Sequence, residues 1–120
     1  MGETLGVAEA LAMQTEAALH RSVRPVIEAV AEDEARHAAL AWRTLRWIAP
    51  RVSAEALAAA FDEAFVEAEA RIRQLEAAPE RARDVADGAH GRLSPRARAR
   101  VHAQTLAAVI EPCRRALLSA

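Results

Sequence analysis

A glutamate and a histidine stand three residues apart in the middle of a stretch rich in helix-forming residues. The stretch covers residues 31–47 and reads AEDEARHAALAWRTLRW, with the pair at Glu34 and His37. On an α-helix, residues three apart lie on one face about one turn apart, so the carboxylate and the imidazole should be neighbours. Carboxylate oxygens and imidazole nitrogens are ligands that iron and manganese accept. The spacing therefore predicts part of a metal-binding site.

An apolar seam runs through the same stretch and includes the pair. Its members recur at spacings of four and three: Val23, Ile27, Val30, Glu34, His37, Ala41, Leu45 and Ile48. Such a pattern is typical of a helix face that packs against a partner helix. A buried carboxylate costs several kcal/mol unless a partner or a metal compensates for it. We therefore expect Glu34 and His37 at core positions with a bound metal, and a buried structural pair without metal is the alternative.

The composition predicts a single helical domain. The chain has 120 residues, of which 52% are apolar and 28% charged, with only four Gly and five Pro. This length can bury a substantial core, and the abundance of Ala favours helix throughout. The single Cys excludes an internal disulfide. We expect an all-α fold.

Charge and hydropathy exclude several classes of function. The net charge is about −1, so no strong field attracts the chain to nucleic acid. The four Arg between residues 92 and 100 lack interleaved aromatic residues, and we interpret them as a solvated helix start. No apolar run approaches the roughly 20 residues of a membrane span, and no signal peptide is recognisable. We expect a cytoplasmic protein with no nucleic-acid partner.

Four helices are expected, and three of them have a serine as the candidate N-cap. The predicted ranges are about 3–20, 23–48, 54–77 and from 95 onward. The candidate caps are Ser22, Ser53 and Ser94, and residues 78–93 form the long connection, with a possible helical turn over 81–85. We assign residues 1–50 to a first helix pair and residues 51–120 to a second pair that packs on it within one domain.

The first helix should supply a second carboxylate to the site. A connection of only a few residues makes the first two helices an antiparallel hairpin, which brings Glu3 toward the level of Glu34 and His37. Glu3 faces the apolar side of its helix, whereas Glu9 should face solvent. An ordinary acidic residue at a helix N-terminus is the alternative interpretation of Glu3.

The last two helices each show one apolar face. On the third, this face consists of Leu57, Phe61, Phe65, Ala68, Ile72 and Leu75, and the acidic residues lie outside it. On the fourth, the face consists of His102, Leu106, Val109, Cys113 and Leu117, and Pro112 should kink the helix. We interpret His102 as a core histidine with a hydrogen-bonding partner, and an extra metal ligand is the alternative.

Two segments of the sequence resemble the second helix pair of ferritin-like domains. They are GETLGVAEA at residues 2–10 and VAEDEARHAALAWRTLRW at residues 30–47. Bacterial ferritin-like domain proteins carry GET in one helix and IAEDEARHAALAW in the next. The resemblance implies that Glu3 and Glu34 are metal-bridging carboxylates and that His37 is a terminal nitrogen ligand, in an iron or manganese centre that could be dinuclear. Metal storage, ferroxidase activity and peroxide chemistry are the functions that it implies.

The resemblance covers residues 2–48 and not the rest of the chain. A complete ferritin-like domain has two such helix pairs, and residues 51–120 contain no second E-x-x-H. The expected fold is therefore a four-helix, ferritin-like half-bundle: one antiparallel pair followed by two C-terminal helices. Its site would be completed by a homodimer or by a missing N-terminal helix pair. The alternative function is a degenerate helical module that binds no metal and serves in association.

Overall fold

The computed structural model describes residues 1–15, 19–79 and 90–119, and these residues form helices and no strand. The first three helices are α1 (Gly2–Gln14), α2 (Arg24–Ile48) and α3 (Ala54–Ala77), with a 3₁₀ turn (Ala49–Arg51) after α2. The last helix runs without a break through α4 (Pro95–Thr105), a π-helical turn (Leu106–Ile110) and α5 (Glu111–Leu118). The predicted all-α class is confirmed. The predicted turn over 81–85 lies outside the described residues.

Local capping explains where two of the helices begin. The Ser53 hydroxyl accepts a hydrogen bond from the backbone N–H of Ala56 at 3.1 Å, and Ser94 accepts one from Ala97 at 3.2 Å. Each satisfies one of the unpaired N–H groups of a first helical turn. Pro95 follows Ser94 at the first helical position, where a missing N–H costs nothing. Both predicted caps are confirmed.

The ends of α1 and α2 differ from the prediction. Helix α1 ends at Gln14 instead of about residue 20, and the Thr15 hydroxyl donates to the Ala12 carbonyl at 2.8 Å. Such a local bond competes with continuation of a helix. Ser22 does not cap α2, because its hydroxyl pairs with Nδ1 of His20 at 2.6 Å. The N-cap position is occupied by Val23, whose side chain makes no capping bond.

The helices are arranged in the order α2, α1, α4, α3, so that α1 and α4 are the inner pair. Helix α1 packs on both α2 and α4, and α3 packs on α4. The Cα atoms span 48 × 31 × 15 Å, and the radius of gyration is 16.1 Å. A compact domain of this length has a radius of gyration of about 14 Å. The chain is therefore flat, and α2 at its edge has few neighbours.

The core draws on both halves of the chain. Its buried centre is formed by Ile72, Ala99, Leu106 and Ile110. Half-buried side chains from the first three helices and the residue before α1 pack against this centre: Met1, Leu5, Trp42, Phe65, Ala68 and Leu75. The six predicted apolar residues of α3 are all buried or half-buried, and its acidic residues are exposed, as expected.

The π-helical turn changes which residues of the last helix reach the core. Ile110 is fully buried, whereas Val109 is 43% exposed, although Val109 was the residue expected on the apolar face. The turn lies just before Pro112, which has no N–H to donate and whose ring crowds the carbonyl four residues earlier. A π turn holds one more residue than an α turn, and so it advances the buried position by one residue.

The helices do not have the character of membrane spans. Among the described residues, no helix combines the length and the low charge that crossing a bilayer requires.

Candidate metal centre

Three potential metal ligands converge between the start of α1 and the middle of α2. Glu3, Glu34 and His37 each offer one oxygen or nitrogen atom, and these three atoms lie within 4.8 Å of one another. Metal–ligand bonds to oxygen and nitrogen are about 2.0–2.2 Å long, so a small movement of these side chains would let all three atoms contact a single ion. The structure thus brings together the three residues that the sequence predicted as ligands.

Two hydrogen bonds at opposite ends of the α1–α2 hairpin join the two helices that carry the three ligands. The indole N–H of Trp42 donates to the hydroxyl of Thr4, next to Glu3, at 3.1 Å. At the other end, the Arg24 guanidinium donates to the Gln14 carbonyl at 2.9 Å. The two helices are therefore antiparallel, and the start of α1 lies beside the second half of α2.

The candidate ligands are more exposed than the seam pattern predicted. Glu34 is half-buried, but Glu3 is exposed and the His37 side chain is 54% exposed. The expectation that Glu34 and His37 both occupy core positions is wrong, because His37 is exposed and Glu34 is only half-buried. The physical reason is the position of α2 at the edge of the molecule, where α1 is the helix that packs on it. Val30, one turn before Glu34 on the same seam, is exposed for the same reason.

An open depression lies beside the three ligands. Its volume is about 630 Å³, and it is lined by Met1, Glu3, His37, Leu40, Ala41, Thr44 and Leu45. Leu40 is 56% exposed at its edge. An ion held by three protein atoms keeps open coordination positions, and this depression leaves room for further ligands there.

A carboxylate lies near the imidazole of His37 but beyond hydrogen-bonding distance. Oδ2 of Asp33 lies 3.8 Å from Nδ1 of His37, and Oδ1 of Asp33 accepts a hydrogen bond from Arg36 at 3.0 Å. In metal sites, the ring nitrogen that does not bind the ion commonly faces a carboxylate or a carbonyl. Asp33 would have to move closer to His37 to make such a contact.

A second cluster of charged groups joins α1 to α4, and the sequence prediction missed it. Glu9 accepts hydrogen bonds from Nε and Nη2 of Arg98 at 3.1 and 3.0 Å, and it also pairs with Nε2 of His102. Glu9 is mostly buried, so the expectation that it faces solvent is wrong. His102 is 4% exposed and pairs with Glu9, which confirms the prediction of a core histidine with a hydrogen-bonding partner. A histidine on an apolar face signals a buried partner, but the packing of α1 on α4 decides which residue that partner is.

No protein-family model, curated protein or solved structure gives a significant match to this chain.

Proposed function

We propose that the chain is a metal-binding protein that holds iron or manganese through Glu3, Glu34 and His37, as one half of a ferritin-like dinuclear carboxylate centre. The observation that carries this proposal is the convergence of three donor atoms from two helices within 4.8 Å. Glu3 and Glu34 are far apart in the sequence, and the antiparallel hairpin alone would not require their carboxylates to meet.

The donor set favours a particular class of metal. Two carboxylates balance the charge of one divalent ion, and the imidazole adds a nitrogen donor. Oxygen donors alone suit magnesium and calcium, whereas a mixed set of carboxylates and one imidazole suits iron and manganese. When bound, such an ion would supply redox chemistry with dioxygen or peroxide.

A second copy of the chain is the proposed source of the remaining ligands. A two-fold axis beside the depression would add a second Glu3, Glu34 and His37, giving four carboxylates and two imidazoles for two ions. The exposed apolar side chains of α2 support this arrangement, because association would remove them from water. They include Val26, Val30, Leu40 and Trp47.

The same apolar surface supports a second candidate function, a helical association module that binds no metal. In that case Glu3 and His37 would be ordinary surface residues, and His37 would interact with Asp33. The two functions differ in one measurable property, the presence of stoichiometric metal.

Native mass spectrometry after anaerobic loading with Fe(II) tests the proposal, because it reports subunit count and bound ions together. We expect a dimer with two iron ions. In the variants Glu34→Ala and His37→Ala, iron affinity should fall by more than the roughly 10- to 100-fold that loss of an outer-shell partner costs.

Glu32→Ala is the matched control, since Glu32 is an exposed carboxylate on the same helix. This variant should bind iron as the unsubstituted protein does. A dimer without iron would contradict the metal proposal and favour the association module. A monomer that binds one ion would contradict the shared centre.

A further inference from the structure

A glycine in α1 lies directly beneath the carboxylate of Glu34. A Cβ atom added at Gly6 would be 2.9 Å from Oε2, 3.3 Å from Cδ and 3.7 Å from Cγ of Glu34. The first of these distances is shorter than a van der Waals contact permits. A side chain at position 6 and the present position of the Glu34 carboxylate therefore exclude each other.

Outside the neighbouring backbone of α1, the three atoms nearest to this added Cβ all belong to the side chain of Glu34. None of the three belongs to the α2 backbone. Close packing of the two helices thus does not explain the glycine. A glycine inside a helix also destabilises it relative to alanine. Gly2, in the first turn of the same helix, has no atom within 4 Å of an added Cβ. The steric relation to Glu34 is specific to position 6.

Gly6 also lies on the same face of α1 as the candidate ligand Glu3. It lies three residues after Glu3, so the two share a face of α1. A Glu34 side chain that lies over Gly6 is consequently held next to Glu3, within the group of atoms that also includes His37.

We infer that Gly6 is a positioning residue for the metal site: the absence of a side chain lets the Glu34 carboxylate lie over α1, where it meets Glu3 and His37. This inference rests on the proposed function. The group that a larger residue would displace is the far end of a flexible side chain, so the fold can accommodate the change. Gly6 should therefore affect metal binding without supporting stability.

The test compares Gly6→Ala with Gly2→Ala as the control. Fe(II) affinity, measured anaerobically, should fall about 10- to 100-fold in Gly6→Ala and stay unchanged in Gly2→Ala. The thermal midpoint of the metal-free Gly6→Ala protein should be unchanged or a few degrees higher, because alanine is the better helix former. A merely structural role for Gly6 predicts the opposite result, a lower midpoint.

A measurement on the metal-free protein separates this inference from the proposed function. The side-chain carboxyl ¹³C resonance of Glu34, assigned with Glu34→Gln, should move in Gly6→Ala and not in Gly2→Ala. If the unsubstituted protein binds no iron, the proposed function fails, whereas the resonance still reports whether Gly6 sets the carboxylate's position. An unmoved resonance, or iron affinity equal to that of the unsubstituted protein, would overturn the inference.

Discussion

Replacing Glu9 with alanine should lower the free energy of unfolding by about 2–4 kcal/mol. The substitution removes the acceptor for two Arg98 hydrogen bonds and the partner of a buried histidine. His102 would keep a ring nitrogen in the interior without this partner, and the guanidinium would lose a bidentate contact. Urea denaturation followed by circular dichroism measures the change, with the slope of the transition checked for constancy.

Two further variants show whether burial explains the size of this effect. Asp33→Ala removes an acidic residue whose ion pair with Arg36, at 3.0 Å, is exposed, and it should cost only about 0–1 kcal/mol. Glu9→Gln keeps an oxygen that can accept from Nε2 of His102 and should cost less than Glu9→Ala. Equal losses in Glu9→Ala and Asp33→Ala would show that the cluster contributes no more than a surface pair.

The cluster lies outside the proposed metal site but on a helix that contributes a ligand to it. Glu9 lies on the same helix as Glu3, and the cluster fixes that helix against α4. Its groups lie outside the three-residue ligand group. Glu9→Ala should therefore weaken iron binding only to the extent that the fold itself is lost, which distinguishes it from Glu34→Ala.

Truncating Ile110 to alanine should cost about 2–5 kcal/mol in the free energy of unfolding. Ile110 is fully buried and packs with Ile72, Ala99 and Leu106 at the centre of the core. Alanine there loses the transfer energy of three carbon atoms and leaves a cavity. Folded proteins of this size are stable by about 5–15 kcal/mol, so the loss is a large share of the total. Thermal and urea unfolding both measure it.

Val109→Ala is the matched control, because Val109 precedes Ile110 in the same π-helical turn but is 43% exposed. Its substitution should change stability by less than about 1 kcal/mol. If Val109→Ala were the more damaging of the two, the last helix would follow uninterrupted α-helical spacing, and the π turn would be wrong.

Much of the helical structure could be predicted because its determinants are local. Ser53 and Ser94 act as caps within one turn of their own position, and the apolar face of α3 follows from spacing alone. Predictions of local structure failed where a side chain had another local partner or where a proline disturbed the helix. Ser22 pairs with His20 instead of capping α2, and Pro112 shifts the register of the last helix through a π turn.

The sequence by itself determined the all-α class, the antiparallel α1–α2 hairpin and the position of Glu3 near the level of Glu34 and His37, because these depend on helical periodicity and on the antiparallel pairing of consecutive helices. Only the tertiary structure decided that His37 is exposed, that Glu9 is the partner of His102 and that Gly6 lies under Glu34. Periodicity states which residues share a helix face. It does not state which helix covers that face, and the covering helix determines burial, ion pairing and steric contact.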